Sequence, residues 1–286
     1  MYSPPEIAKN YIEDSKQKVK IPLLKLLLLG VYGGFFISSA VMCAIICSYR
    51  MLGGESQFYS GLVFPMGILF CFYAGGELFT ADCLLVIPLF CKKISIIEML
   101  KLWGIVYIGN FLGAFIMALL VVYGHVPNLF ENNIAQSLVS YATIETTIGF
   151  GDAFVKGILC NVFICLSVWL SFGGKDFFSK MAGLWSPILL YIGCGYEHCV
   201  SNMFLIPAGL FSSYEYHLTR DKLNWGRLFY KSLIPVTLGN ICGGVILVGF
   251  GYWYIYLTPE SLNVPPPIEN KNPNPNIEET QNKAIN

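Results

Sequence analysis

The sequence predicts an all-α membrane protein: six transmembrane helices in two inverted three-helix repeats, with broken helices 2 and 5. Three observations carry this expectation. The 286-residue chain is 55% hydrophobic and 13% charged, whereas a soluble domain carries about 25% charged residues. Asp, Glu, Lys and Arg are absent from residues 26–49, 102–130, 157–174 and 232–259; roughly 20 apolar residues suffice to cross the hydrocarbon core as a helix. Two further apolar stretches each carry a proline followed by a glutamate set among glycines, Pro65 before Gly75-Gly76-Glu77 and Pro187 before Gly195-Tyr196-Glu197.

In chain order, residues 1–22 form a polar N-terminal lead with Lys9, Lys16, Lys18 and Lys20, which does not read as a cleavable signal peptide. The transmembrane domain covers 23–257. Its segment 1 is about 23–48, after Pro22. Segment 2 runs about 59–90 and carries Thr80 and Asp82 beyond its glycine break. Segment 3 is about 98–123, a mixed loop spans 124–151, and segment 4 is about 153–172. Segment 5 runs about 181–211 and segment 6 about 229–257. Residues 258–286, rich in Pro, Asn and Glu, read as a disordered tail.

Six crossings put both termini on one side, and lysine and arginine choose the cytoplasmic one. That choice places Lys92, Lys93, Lys175 and Lys180 inside and leaves the 124–151 loop, which has no Lys or Arg, outside. Arg220, Lys222, Arg227 and Lys231 fall on the outer side and weigh against it. The plasma membrane is the expected location.

The halves echo one another in a second way. Segment 3 contains Gly109-Asn110-Phe111-Leu112-Gly113 and segment 6 contains Gly239-Asn240-Ile241-Cys242-Gly243. These read as close-packing seams between helices. The breaks read differently, because loose backbone groups in a membrane must be satisfied by protein or line a wet cavity. Glu77 and Glu197 are expected to accept hydrogen bonds from the loose N–H groups of their own breaks. His198, an ionisable group at mid-membrane beside a break and opposite Thr80, is the first candidate for the substrate pathway. Asn161, in segment 4, is its expected hydrogen-bond partner. Phe64, Ile68, Leu78, Phe79 and Tyr191 are bulky enough to form constrictions that exclude water.

The ten cysteines fall mostly inside apolar runs and behave as small hydrophobes. No Cys/His cluster has metal-ligand spacing, so no cofactor or metal is expected. A net charge of zero gives no basic field for a nucleic acid. A membrane-embedded enzyme would need a metal or redox constellation, which His125, His198 and His217 on separate segments do not supply. A water or glycerol channel of aquaporin type, the alternative, reads by paired Asn-Pro-Ala caps, and the only Asn-Pro dipeptides lie in the tail.

The string GYEHCVSNMFLIPAGL closely resembles the fifth-helix signature of the formate/nitrite transporter family. GGELFTADCL, KGILCNVFICLSVWL and LIPVTLGNICGGVILVGFGYWYIYL are similar to its second-, fourth- and sixth-helix blocks, in family order over about residues 20–257. The resemblance implies a homopentamer of aquaporin-like protomers, each with its own pore for small monovalent anions such as formate, nitrite, acetate, lactate or hydrosulfide, often with a proton. It places His198 on the family's central histidine, Thr80 on the second-helix threonine and Asn161 on the asparagine beside the histidine. Phe64, Ile68, Leu78 and Tyr191 fall on constriction positions, Tyr191 where formate channels of the family carry Phe. Lys18 takes the place of an inner-vestibule lysine. The family's outer-vestibule lysine is replaced by Glu145, with Lys156 one turn into segment 4 as a partial substitute.

Overall fold

The computed structural model describes residues 1–219 and 221–258. The expected tail lies outside the described residues apart from Thr258, as does Arg220.

The polar lead is helical. Helix α1 (Pro4–Lys18) opens with Pro4 at its first position and with a reciprocal cap, in which the Ser3 hydroxyl and backbone N–H both donate to Glu6 Oε2, at 2.7 and 2.8 Å. It buries Ile7, Ala8, Tyr11 and Ile12, and Tyr11 meets Phe172 edge to face at 5.3 Å. After Pro22 the chain enters α2 (Leu23–Ser48).

Helix α3 (Gly54–Gly75) ends in a widened turn over Cys71–Gly75. Gly75 has φ of +90° and Gly76 is extended, so helical geometry stops there and resumes as α4 (Phe79–Phe90). Glycine is what permits that left-handed φ without a Cβ clash. Residues Phe79–Pro88 of α4 are all buried, so the short helix is encased in protein. A capped helix follows, α5 (Ile96–Tyr123), with Ser95 and Glu98 reciprocally bonded at its start.

The 124–151 stretch is more ordered than the mixed loop expected. It holds α6 (Asn133–Glu145), whose buried Ile134, Ala135, Leu138 and Ala142 give it an apolar face. Its polar residues lie on the opposite face, which diluted the hydropathy signal without removing the helical period.

The second half begins with α7 (Phe150–Gly173) and α8 (Phe177–Gly193), which contains Pro187. Gly195 has φ of +66°, residues 196–198 leave helical geometry, and α9 (Cys199–Glu215) starts immediately after His198. Helix α10 (Trp225–Leu257) is continuous, with widened turns over Leu228–Leu233 and Gly243–Phe250.

Five of these helices, α2, α3, α5, α7 and α10, are long and apolar enough to cross a membrane. Large apolar side chains such as Leu28, Leu120, Ile246 and Leu247 stand exposed on their outer faces, as suits a lipid or neighbouring-protein environment.

Two tight seams organise the molecule. Helix α2 packs along α5, and α7 along α10. A Cβ at Gly113 would run into the Val31 carbonyl, and one at Gly243 into the Ile158 carbonyl. The G-N-x-x-G glycines are therefore close-approach positions, as read from sequence. Gly113→Ala is expected to destabilise the protein by about 1–3 kcal/mol through overpacking. Thermal unfolding in detergent checks this, and Gly104→Ala, which meets nothing within 4 Å, should leave the midpoint unlowered.

Candidate functional site

Each interruption leaves backbone groups that no helix can satisfy. In both, one asparagine from the neighbouring seam supplies the missing partners. The Asn110 Oδ1 accepts from the Phe79 N–H at 3.0 Å, and its Nδ2 donates to the Glu77 and Gly30 carbonyls, each at 2.8 Å. The Asn240 Oδ1 accepts from the Cys199 N–H at 3.0 Å, and its Nδ2 donates to the Glu197 carbonyl at 3.0 Å and the Gly157 carbonyl at 2.8 Å. The Glu77 N–H reaches the Leu29 carbonyl at 2.9 Å and the Glu197 N–H reaches the Lys156 carbonyl at 3.4 Å. The two sites match bond for bond.

Sequence reasoning missed these asparagines, because it took the whole G-N-x-x-G motif as a seam. The signal was present: a carboxamide offers both acceptor and donors, and one stood at the same place in each seam.

The clamps correct two expectations. The carboxylates of Glu77 and Glu197 do not cap their own breaks. Glu77 Oε2 pairs with the Lys18 ammonium at 2.8 Å, and Glu197 Oε2 accepts from Asn202 Nδ2 at 3.1 Å. Asn161 is not the partner of His198. Its Nδ2 donates to the Asn240 carbonyl at 2.7 Å, so it holds the backbone that carries the clamp.

His198, 2% exposed, sits at the junction between the interruptions. Its Nε2 is 3.0 Å from the Thr80 hydroxyl and its Nδ1 is 2.9 Å from the Ser201 hydroxyl. A neutral imidazole has one N–H and one lone pair, and two hydroxyls that donate or accept can serve either tautomer. Thr80 lies in the first turn of α4 and His198 precedes α9, so the positive ends of two helices converge here.

Cavities approach this junction from two directions. The first, about 330 Å³, reaches Leu78 and Ala81 and is also lined by Lys18, Glu77, Tyr11 and Lys180. The second, about 260 Å³, reaches Phe64, Tyr191 and His198 and is also lined by Glu145 and Glu197. Thr80 and Ile68 are buried and line neither cavity. Phe64 and Tyr191 meet edge to face at 5.8 Å. Phe79 departs from expectation: its ring packs edge-on against Tyr107 at 4.9 Å and Trp103 at 5.9 Å, and it lines neither cavity.

The expected lysines also fall differently. Lys18 does line the first cavity, but its ammonium is shared between Glu77 and fully buried Asp82, at 2.8 and 2.9 Å. Burial alone would lower its pKa; Asp82 and Glu77 reverse that and hold it well above the ordinary lysine value. It cannot offer a full positive charge to an anion. Lys180, also on this cavity, went unnoticed as a candidate. Lys156 does not line the second cavity, and among the described residues no lysine does.

The fold defines an all-helical, multi-pass integral membrane protein with a buried histidine–threonine pair and two separate cavities, one of which reaches the histidine. The chain belongs to the formate/nitrite transporter family, whose profile matches residues 5–254. It is 36% identical over 262 residues to the uncharacterized transporter YrhG of Bacillus subtilis (strain 168), covering 88% of this chain and 93% of that protein. It is 35% identical over 263 residues to the formate channel BtFdhC of Bacillus thuringiensis, covering 89% and 96%. A solved pentameric formate channel with formate bound is similar over 82% of this chain and 98% of that one, with a TM-score of 0.73 and 28% identity. These likenesses do not favour the water or glycerol alternative.

Asn110→Leu and Asn240→Leu should each destabilise the protein by several kcal/mol, since each orphaned buried group costs about 1–3 kcal/mol. Thermal unfolding of the purified protein checks this, with Asn161→Leu expected to cost less, since it removes a single such bond.

Proposed function

We propose that the protein carries small monovalent anions across a membrane as their neutral acids, through a passage that runs between the two cavities past Thr80 and His198. The observation that supports this best is the pair of separate cavities, each lined by one interruption, with the buried histidine–threonine contact joining the two interruptions. In this reading α3 with α4, and α8 with α9, each make one crossing. Six crossings then form two inverted halves, and the matched asparagine clamps are what such a repeat would leave. The α1 side faces the cytoplasm and the membrane is the plasma membrane. Likeness to a pentameric channel supports a homopentamer with one passage per protomer, and likeness to formate channels supports formate or a close analogue as substrate. The protein does transport rather than enzymatic chemistry.

Energetics favour the neutral form. A bare anion at the bilayer centre costs at least roughly 2.5–3.5 kcal/mol and up to over 10. Protonating a carboxylate of pKa near 4 at pH 7 costs about 4 kcal/mol, at 1.36 per unit. Protonation wins wherever the barrier is dry, and Phe64, Ile68, Leu78 and Tyr191, each at most 3% exposed, supply that dryness. His198 and Thr80 hydrogen-bond the acid as it passes, and the converging helix N-termini favour the oxygen end of the substrate.

His198→Phe in proteoliposomes should lower formate flux about two- to tenfold, a hydrogen bond between neutral groups being worth roughly 0.5–1.5 kcal/mol. Undiminished flux would remove the histidine from the mechanism. Across a panel of formate, nitrite, acetate and lactate, an inward proton gradient should accelerate uptake of every acid carried.

A further inference from the structure

We propose that Glu145 and Glu197 share one proton at the outer mouth of the passage and exchange it with the substrate carboxylate. The inference rests on the transport reading above and adds to it the group that performs the protonation.

The geometry is that of two carboxyls on one donor. Asn202 Nδ2 stands 3.1 Å from Glu197 Oε2, 3.5 Å from Glu145 Oε2 and 3.0 Å from the Ser232 hydroxyl. An amide nitrogen has two hydrogens, so it cannot serve three acceptors at once. One amide nitrogen at 3.1 and 3.5 Å from the two carboxyls brings them close together, and the Glu197 carboxyl is among the groups that raise the pKa of Glu145. Ionised carboxylates are acceptors only, so two of them facing one another without a proton repel. Two like charges this close do not both ionise. The arrangement therefore holds one proton and one negative charge.

Its surroundings suit both. Glu197 lies just before the N-terminus of α9, which favours a negative charge there. The charged and titratable groups around the pair are Lys156 from α7, Arg227, held on the Thr146 carbonyl at 2.9 Å, His198, and the phenols Tyr141, Tyr191 and Tyr196 of the cavity. Burial first, and Glu197 second, hold the Glu145 carboxyl well above the usual carboxylate range, with Lys156 pulling the other way.

A second observation points to a ligand. Tyr191 lines the same cavity, and its buried hydroxyl has no partner among the described residues. A carboxylate in the cavity would take the pair's proton on one oxygen and accept from Tyr191 on the other. The O–H bond at the glutamate breaks and an O–H bond on the substrate forms while a hydronium in the outer water gives its proton to the other carboxyl and becomes water, so the pair keeps one proton and one negative charge throughout. No electrons are transferred, and outward flux runs the same steps in reverse. In this chain the carboxyl at position 145 thus does what a fixed positive charge cannot: it donates the proton itself.

The experiment pairs infrared difference spectroscopy with flux in proteoliposomes of oriented full-length protein. At neutral pH the wild type should show a protonated carboxyl C=O band that shifts in D2O, and Glu145→Gln should lose it. In the wild type, formate and acetate uptake should decline about one common outer-pH midpoint, set by the pair and not by each acid. In Glu145→Gln that midpoint should move down by about one pH unit or more, the usual effect of removing a neighbouring like charge. A wild type with no such band, or a variant with an unchanged midpoint, overturns the proposal and leaves the transport reading standing. The wild-type spectrum decides the protonation by itself if the variant does not assemble. A wild type that carries no weak acid at any pH overturns both.

Discussion

Everything in this molecule depends on satisfying backbone groups where two helices are interrupted inside an apolar body. A free N–H or C=O costs several kcal/mol in hydrocarbon. Asn110 and Asn240 remove that cost with three hydrogen bonds each. They can do so because glycines bring α2 against α5 and α7 against α10 closely enough for one carboxamide to span seam and interruption. The tight seam and the open loop are thus a single construction. Thr80 and His198 meet because the loops are held in register by it.

The carboxylates show where the halves diverge. The backbone clamps match closely, yet Glu77 answers to Lys18 while Glu197 answers to Asn202. On the α1 side, Lys18 pairs with Glu77 and with fully buried Asp82, which ties α1 to α4. On the opposite side no lysine lines the cavity among the described residues, and a second carboxyl stands there instead. One architecture therefore presents two chemically different mouths to the same proposed passage.

Much of this was legible in the sequence, for identifiable reasons. The apolar runs gave the long helices, because lipid-facing surfaces leave no room for charge. Gly75 and Gly195 marked the interruptions, because only glycine accepts their φ cheaply. His198 with Thr80 followed from placing two interruptions opposite each other. What escaped were relations across the fold. Asn110 and Asn240 looked like parts of a glycine motif, since nothing in a linear string says that a side chain reaches a loop more than 30 residues away. Asn161 was assigned to the histidine when it supports the Asn240 backbone. Phe79 has the size of a constriction residue, but its ring packs against Trp103 and Tyr107 and lines neither cavity. Lys18 lines a cavity, but its partners were hidden in another segment. Helix α6 was hidden by its polar face.

The central claim is that the passage is dry where His198 and Thr80 meet, so that the substrate crosses without charge. Voltage tests this most directly, since moving one elementary charge through a membrane is worth about 2.3 kcal/mol per 100 mV. Formate flux should be measured in proteoliposomes with membrane potential clamped by potassium and valinomycin, at equal pH on both sides. The account predicts flux that is the same at both polarities. Flux that rises and falls with the potential, as a bare anion's must, would contradict it.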